Sequence, residues 1–249
     1  IVDSLFVGRY SESGLTALSI IYPIQLLMIA LGVGTGVGIN TGMSAFFGMK
    51  KKKRADEMAG VGTPLAIMLW ILFAVIAVII MPAYARMSTG SEQVIHEVIV
   101  YGRIVCIFSF ALFLESVWTK ILQANGDMRT PMIAQIIGAI TNIILDPILI
   151  FGLAGIRPMG IAGAALATVF SQIVSVVVIF SMLKKVLHVE KGEKPLWWPH
   201  FCKEHMQQML HMGFPLALQS MLFPIANTIV QAGVNTMGTD QIAAWGICD

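Results

Sequence analysis

Apolar runs of about twenty residues dominate this chain, and little besides a bundle of membrane-crossing helices can house several of them. They fall at Leu15–Gly36, Gly60–Met81, Val98–Trp118, Thr130–Gly152, Gly160–Leu183 and Gly213–Met237. Hydrocarbon offers backbone groups no partner, so each run must satisfy its own hydrogen bonds as a helix. With 57% apolar and 12% charged residues, the 249-residue chain does not read as one or two soluble domains. The expected class is all-α, a polytopic transmembrane helix bundle. Ile1–Arg9 reads as the last two turns of a helix whose start is missing, and Ile242–Asp249 as the opening of another span. The chain is therefore expected to be a piece of a longer protein.

Basic residues alternate from loop to loop. Lys50, Lys51, Lys52, Lys53 and Arg54, then Lys120 and Arg129, then Lys184, Lys185, Lys191, Lys194 and Lys203 mark one side. The intervening loops hold only Arg9, Arg86 and Arg157. The positive-inside rule puts the lysine-rich loops in the cytoplasm. Between two spans, the KKKKR run is a topology signal rather than a nucleic-acid patch. Trp197 and Trp198, beside Lys and Pro, suit an interfacial segment. His200, Cys202 and His205 are close in sequence, but their spacing matches no strong metal pattern. Cys106, Cys202 and Cys248 lie far apart with no CxxC pair, which implies neither a disulfide framework nor a zinc site.

One span carries residues that hydrocarbon disfavours. GAITNIILDPILIFG, Gly138 to Gly152, contains Asn142, Asp146 and Pro147. A charged Asp near the centre of a membrane helix costs about 2.5–3.5 kcal/mol, so such residues usually serve ion or substrate pathways. Asn142 and Asp146 are four apart and share a helical face. Pro147 has no N–H for the carbonyl of Ile143, which leaves that oxygen available as a further ligand. Counting about 1.5 Å per helical residue from the nearest loop, Asp3, Tyr22, Asp146 and Thr168 lie about 9–12 Å deep and Asn142 about 15 Å. All belong to one layer in the outer half of the membrane. Two carboxylates in one low-dielectric pocket would take up and release a proton; a sodium ion held by Asp, Asn and a freed carbonyl would serve as well. Arg103 and Glu115 sit nearer span ends and are expected at the interfaces, with Glu115 the better candidate for attracting cations in a vestibule.

Glycines at 32, 34, 36, 38 and 42 fail as a phosphate loop, because no strand precedes them and no Gly-Lys-Ser/Thr element follows. In a membrane helix they allow close approach and bending, as do Gly160, Gly163, Ala164, Ala165 and Ala167. No HExxH, GxSxG or paired intramembrane His marks an intramembrane enzyme.

Four segments resemble the multidrug and toxic compound extrusion (MATE) family of bacterial efflux transporters. VDSLFVGR (Val2–Arg9) is similar to the end of the family's first helix, and GVGTGVGINTGMSAFFGMKKKKRAD (Gly32–Asp56) to its second helix and basic loop. QANGDMRTPMIAQIIGAITNIILDPILIFG (Gln123–Gly152), the most specific match, resembles the fifth helix and the loop before it, and GIAGAALATVFSQ (Gly160–Gln172) the sixth. The resemblance implies twelve helices in two six-helix lobes. Residues 1–185 would form the N-terminal lobe, 186–208 a cytoplasmic linker, and 209–249 the seventh helix and the start of the eighth. A repeat between lobes is not visible: at an offset of 227 only Val7, Ala17 and Ile20 fall on Val234, Ala244 and Ile247.

The resemblance also implies antiport in the bacterial inner membrane, with sodium ions or protons running inward while amphipathic, often cationic, drug-like compounds leave. Asp3 would be the first-helix carboxylate, with Asn142 and Asp146 its fifth-helix partners and Thr168 a fourth member; in a sodium-coupled protein, Asp3, Asn142 and Asp146 would hold the ion. No cofactor beyond the coupling ion, no nucleic acid and a monomeric state are expected. The alternative is a lipid-linked oligosaccharide flippase of the same superfamily, which needs cationic cavity residues to hold a pyrophosphate. Here the buried charges are acidic except Arg103.

Overall fold

The computed structural model describes residues 2–153 and 157–186 and a scatter of positions between 206 and 226. Seven helices follow in order: α1 Val2–Tyr10, α2 Glu12–Gly48, α3 Lys52–Ser88, α4 Glu92–Ile107, α5 Phe110–Ala124, α6 Arg129–Phe151 and α7 Ile161–Val186. Among the described residues, α2, α3, α6 and α7 are each long and apolar enough to cross a membrane, and α4 with α5, bent by 42° at a short break, is together long and apolar enough for a fifth. The expected span at Val98–Trp118 is therefore two helices. The break at Phe108–Ser109 contains neither Pro nor Gly, and side chains hold it open. Ser109 Oγ donates to the Cys106 carbonyl at 2.8 Å, and Trp70 Nε1 on α3 donates to the Ile107 carbonyl at 3.0 Å.

The described positions within Gly213–Met237 reach Ala226 and are helical. Residues 187–205, with Trp197, Trp198, His200, Cys202 and His205, lie outside the described residues.

The helices run back and forth between two ends, one marked by Ser11 and the other by Lys50. Ser11 separates α1 from α2 and caps the latter, its Oγ accepting from Gly14 N at 3.3 Å. Ser13 Oγ donates to Glu97 Oε1 at 3.0 Å and so ties this joint to α4. Edge-on ring contacts of Phe6 and Tyr10 with Phe151 pack α1 on α6. At the other end, QANGD builds a compact corner between α5 and α6. Asn125 Nδ2 bonds the Ile121 carbonyl at 2.9 Å, Gly126 takes a left-handed φ of 87°, and Asp127 Oδ1 accepts from Arg129 N and Thr130 N at 3.1 Å each. Slight burial pushes the Asp127 carboxyl up. Hydrogen bonds from Thr130 and Arg129, with the Arg129 charge, outweigh it and hold the group below the usual carboxylate range.

The small residues permit close crossings, as their spacing implied. A methyl group on Gly36 would stand 2.8 Å from Ser116 O of α5, and one on Gly163 would stand 2.6 Å from Leu149 O of α6. Both separations are shorter than a carbon side chain tolerates against backbone, so α2–α5 and α6–α7 need glycine there.

Candidate cation-binding site

Near the Ser11 end, four helices bring polar side chains to one point. Asp146 of α6 is fully buried. Its Oδ1 accepts from Asn142 Nδ2 over a long 3.4 Å, as the four-residue spacing permits. Its Oδ2 is buried and has no partner among the described residues. Asp3 of α1 reaches in from the side and lies within the electrostatic reach of Asp146. Thr168 of α7 donates to Asp3 Oδ2 at 2.9 Å, while the same hydroxyl lies 3.1 Å from the Ala164 carbonyl of the preceding turn. Asp3, Asn142, Asp146 and Thr168 thus form one cluster. Ile143, whose carbonyl Pro147 cannot bond, turns its side chain outward and is 47% exposed.

Tyr22 does not join them. It is 56% exposed, because Ala17, Leu18 and Ile21 define the buried face of α2 and Tyr22 is rotated off it. The tyrosine at the cluster is Tyr101 of α4, 1% exposed. Its phenol oxygen accepts from Gln25 Nε2 of α2 at 3.0 Å, and it lies against Thr168 within the field of Asp3 and Asp146. Sequence reasoning missed Tyr101 and Gln25. Depth holds the usable signal: Tyr101 lies nine residues inside α4, about 14 Å from its start.

Chemically, the cluster offers two carboxylates, an amide, a hydroxyl and a phenol, with one carboxylate oxygen unsatisfied. An all-oxygen set with no soft ligand suits a proton or a hard cation. Two carboxylates this close, away from water, do not both stay charged unless a positive ion accompanies them. Among the described residues, no group of three or more His, Cys, Asp or Glu side chains suits a metal ion.

The two remaining intramembrane charges part ways. Arg103 is exposed, as an interfacial reading expects. Glu115, also expected at an interface, is half-buried against α7. Ser175 of α7 reaches its level and donates to Oε1 at 2.7 Å.

The MatE family model matches residues 1–148, and the Lipid II flippase MurJ model matches residues 96–232. The probable multidrug resistance protein YoeA of Bacillus subtilis (strain 168) is 29% identical over 249 residues, covering 99% of this chain and 54% of that protein. A FAD transporter of Shewanella oneidensis is 26% identical over 249 residues, again covering 99% and 54%. Among solved structures, the outward-facing conformation of a multidrug resistance MATE family transporter of the MOP superfamily aligns with a TM-score of 0.87 at 25% identity, covering 98% of this chain and 53% of that one. The chain spans about half the length of the curated relatives it matches.

Proposed function

Because this chain belongs to the MatE family of multi-pass membrane transporters, we propose that it forms one lobe of a secondary active efflux antiporter. Residues 1–185 make up the N-terminal lobe, 186–208 the linker and 209–249 the start of the second lobe. The protein exports amphipathic, often cationic, drug-like compounds in exchange for sodium ions or protons. It works as a monomer in the bacterial inner membrane, with the lysine-rich loops in the cytoplasm. The observation that carries this reading is the Asp3–Asp146 pair, with Asp146 Oδ2 lacking a partner among the described residues. Asp3, Asn142, Asp146 and Thr168 hold the coupling ion, and Tyr101 closes the site from α4.

An ion entering from the Ser11 side neutralises the carboxylate pair and draws α1 against α6 and α7. With the charge satisfied, α1 settles into a different position, and the cleft beside it releases its cargo outward. Rocking of the two lobes then resets access. The ion drives this change only by binding one arrangement better than the other. In proteoliposomes containing the complete transporter, a sodium or pH gradient should expel a fluorescent cationic dye. Asp3→Asn and Asp146→Asn should remove the gradient dependence; gradient-driven efflux that persists in both variants refutes the reading.

The match of residues 96–232 to the Lipid II flippase model favours one second reading, export of a lipid-linked precursor. Such cargo needs buried basic residues for its pyrophosphate, yet Arg103, the basic residue deepest in α4, is exposed. A direct comparison of dye efflux with lipid-linked precursor translocation separates the two.

A further inference from the structure

We propose that Glu115 and the pocket it lines seat the positively charged nitrogen of an exported organic amine, apart from the Asp3–Asp146 pair. The proposal rests on the efflux reading above and names the substrate class for a second place in the same lobe. Between α5, α6 and α7 lies a cavity of about 170 Å³, bounded by Glu115, Gln135, Gln172, Ser171 and Ser175 among others. Ser175 holds Glu115 Oε1 at 2.7 Å, and among the described residues no basic side chain pairs with the carboxylate. A carboxyl group is thus oriented by one hydroxyl and borders an open space.

Size and donor set decide the occupant. The space is far larger than the ~15 Å³ that one water needs. It offers a single carboxylate and two flexible amides, whereas hard cations such as calcium and magnesium take six or more oxygens at about 2.0–2.6 Å. A bare ion would keep most of its water there. An ammonium group needs less: one carboxylate for its charge, amide oxygens for its remaining hydrogens, and apolar wall for its carbon frame.

The pocket also belongs to the same two helix faces as the outer cluster. Thr168, Ser171 and Ser175 share one face of α7, and Ser171 Oγ donates to the Thr168 carbonyl at 2.7 Å. Gln135, Asn142 and Asp146 share one face of α6. Gly138 keeps the seam tight, since a methyl group there would stand 3.3 Å from both Ser171 O and Ser175 Cβ. Thr168 and Ser175 are about 10 Å apart along α7, so the seam joins the amine seat to the ion site without merging them.

The test is equilibrium binding to the purified complete transporter, with no gradient imposed. Doxorubicin serves as the amine and its N-acetyl derivative as a neutral analogue of nearly the same shape. The wild type should prefer the amine. Glu115→Gln should weaken doxorubicin binding about tenfold or more while leaving the neutral analogue unchanged, a charge effect and not a loss of shape. Glu115→Asp should keep part of the preference, and Ser175→Ala should lose a smaller part. Asp3→Asn should leave the preference intact, so that failure of ion coupling and failure of this seat give different results. An unchanged preference in Glu115→Gln overturns the proposal, as does an equal loss for both compounds. It is also overturned if amine binding is untouched while sodium or proton binding falls, which would give Glu115 to the coupling ion.

Discussion

Asp146 and Glu115 are both carboxylates inside a bundle of apolar helices, yet their surroundings differ. Asp146 is fully buried, faces a second carboxylate, and keeps one oxygen without a partner among the described residues. Glu115 faces no second acid among the residues lining its pocket, is oriented by Ser175, and borders a cavity of about 170 Å³. The first arrangement suits a proton or a small hard cation, because two crowded carboxylates in a dry site do not both stay charged alone. The second has room for a molecule. Asp127, at the α5–α6 corner, completes the series, being a solvated acid satisfied by backbone N–H groups.

Five substitutions break or sharpen that contrast, from the largest expected effect to the smallest. Asp146→Asn should bring gradient-driven dye efflux to background, whereas Glu115→Gln should spare coupling and alter which compounds leave; transport assays with both variants compare the two sites directly. Gly163→Leu should disturb both places at once by forcing α7 off the Leu149 carbonyl, at about 1–3 kcal/mol or more, visible as a lower thermal midpoint for the detergent-solubilised protein. Tyr101→Phe removes the acceptor of Gln25 Nε2 and should weaken coupling-ion affinity by roughly three- to tenfold, the worth of about one hydrogen bond, without altering the amine preference. Ion titrations followed by protein fluorescence would read this.

The smallest effect belongs to Asp127→Ala, which should cost about 1 kcal/mol as the loss of a helix cap and leave transport kinetics unchanged. Its sign with pH follows from the held-down carboxyl. The stabilisation is fully present above the ordinary Asp range and is lost as pH falls through the lowered value in the folded protein. The gap in thermal midpoint between wild type and Asp127→Ala should therefore close in acid.

Much of this arrangement was legible in the sequence because hydrocarbon makes polar residues conspicuous. Asp3, Asn142, Asp146 and Thr168 stand out against their spans, and counting along each helix set them at one level. Tyr101 escaped for a definable reason. The polar residues Glu92, His96 and Glu97 shorten the visible apolar run, so the expected span begins at Val98 and leaves Tyr101 only three residues inside it. The helix begins at Glu92. Tyr22 misled in the opposite direction: depth alone gives no azimuth, and only packing shows which side of α2 is covered. The break at Phe108–Ser109 was illegible because its causes, Trp70 and the Ser109 hydroxyl, act across the fold or through one rotamer. The Ser175 partner of Glu115 was illegible for a similar reason, since it lies 60 residues later in the chain.

The bent α4–α5 span has one further consequence. Tyr101 hangs from its upper arm and Glu115 from its lower, while the indole of Trp70 rests in the elbow. With the other four tryptophans of this chain, and any elsewhere in the complete transporter, replaced by phenylalanine, the emission colour of that single indole would act as a built-in goniometer, shifting whenever the elbow flexes and staying fixed if the two arms swing as one rod.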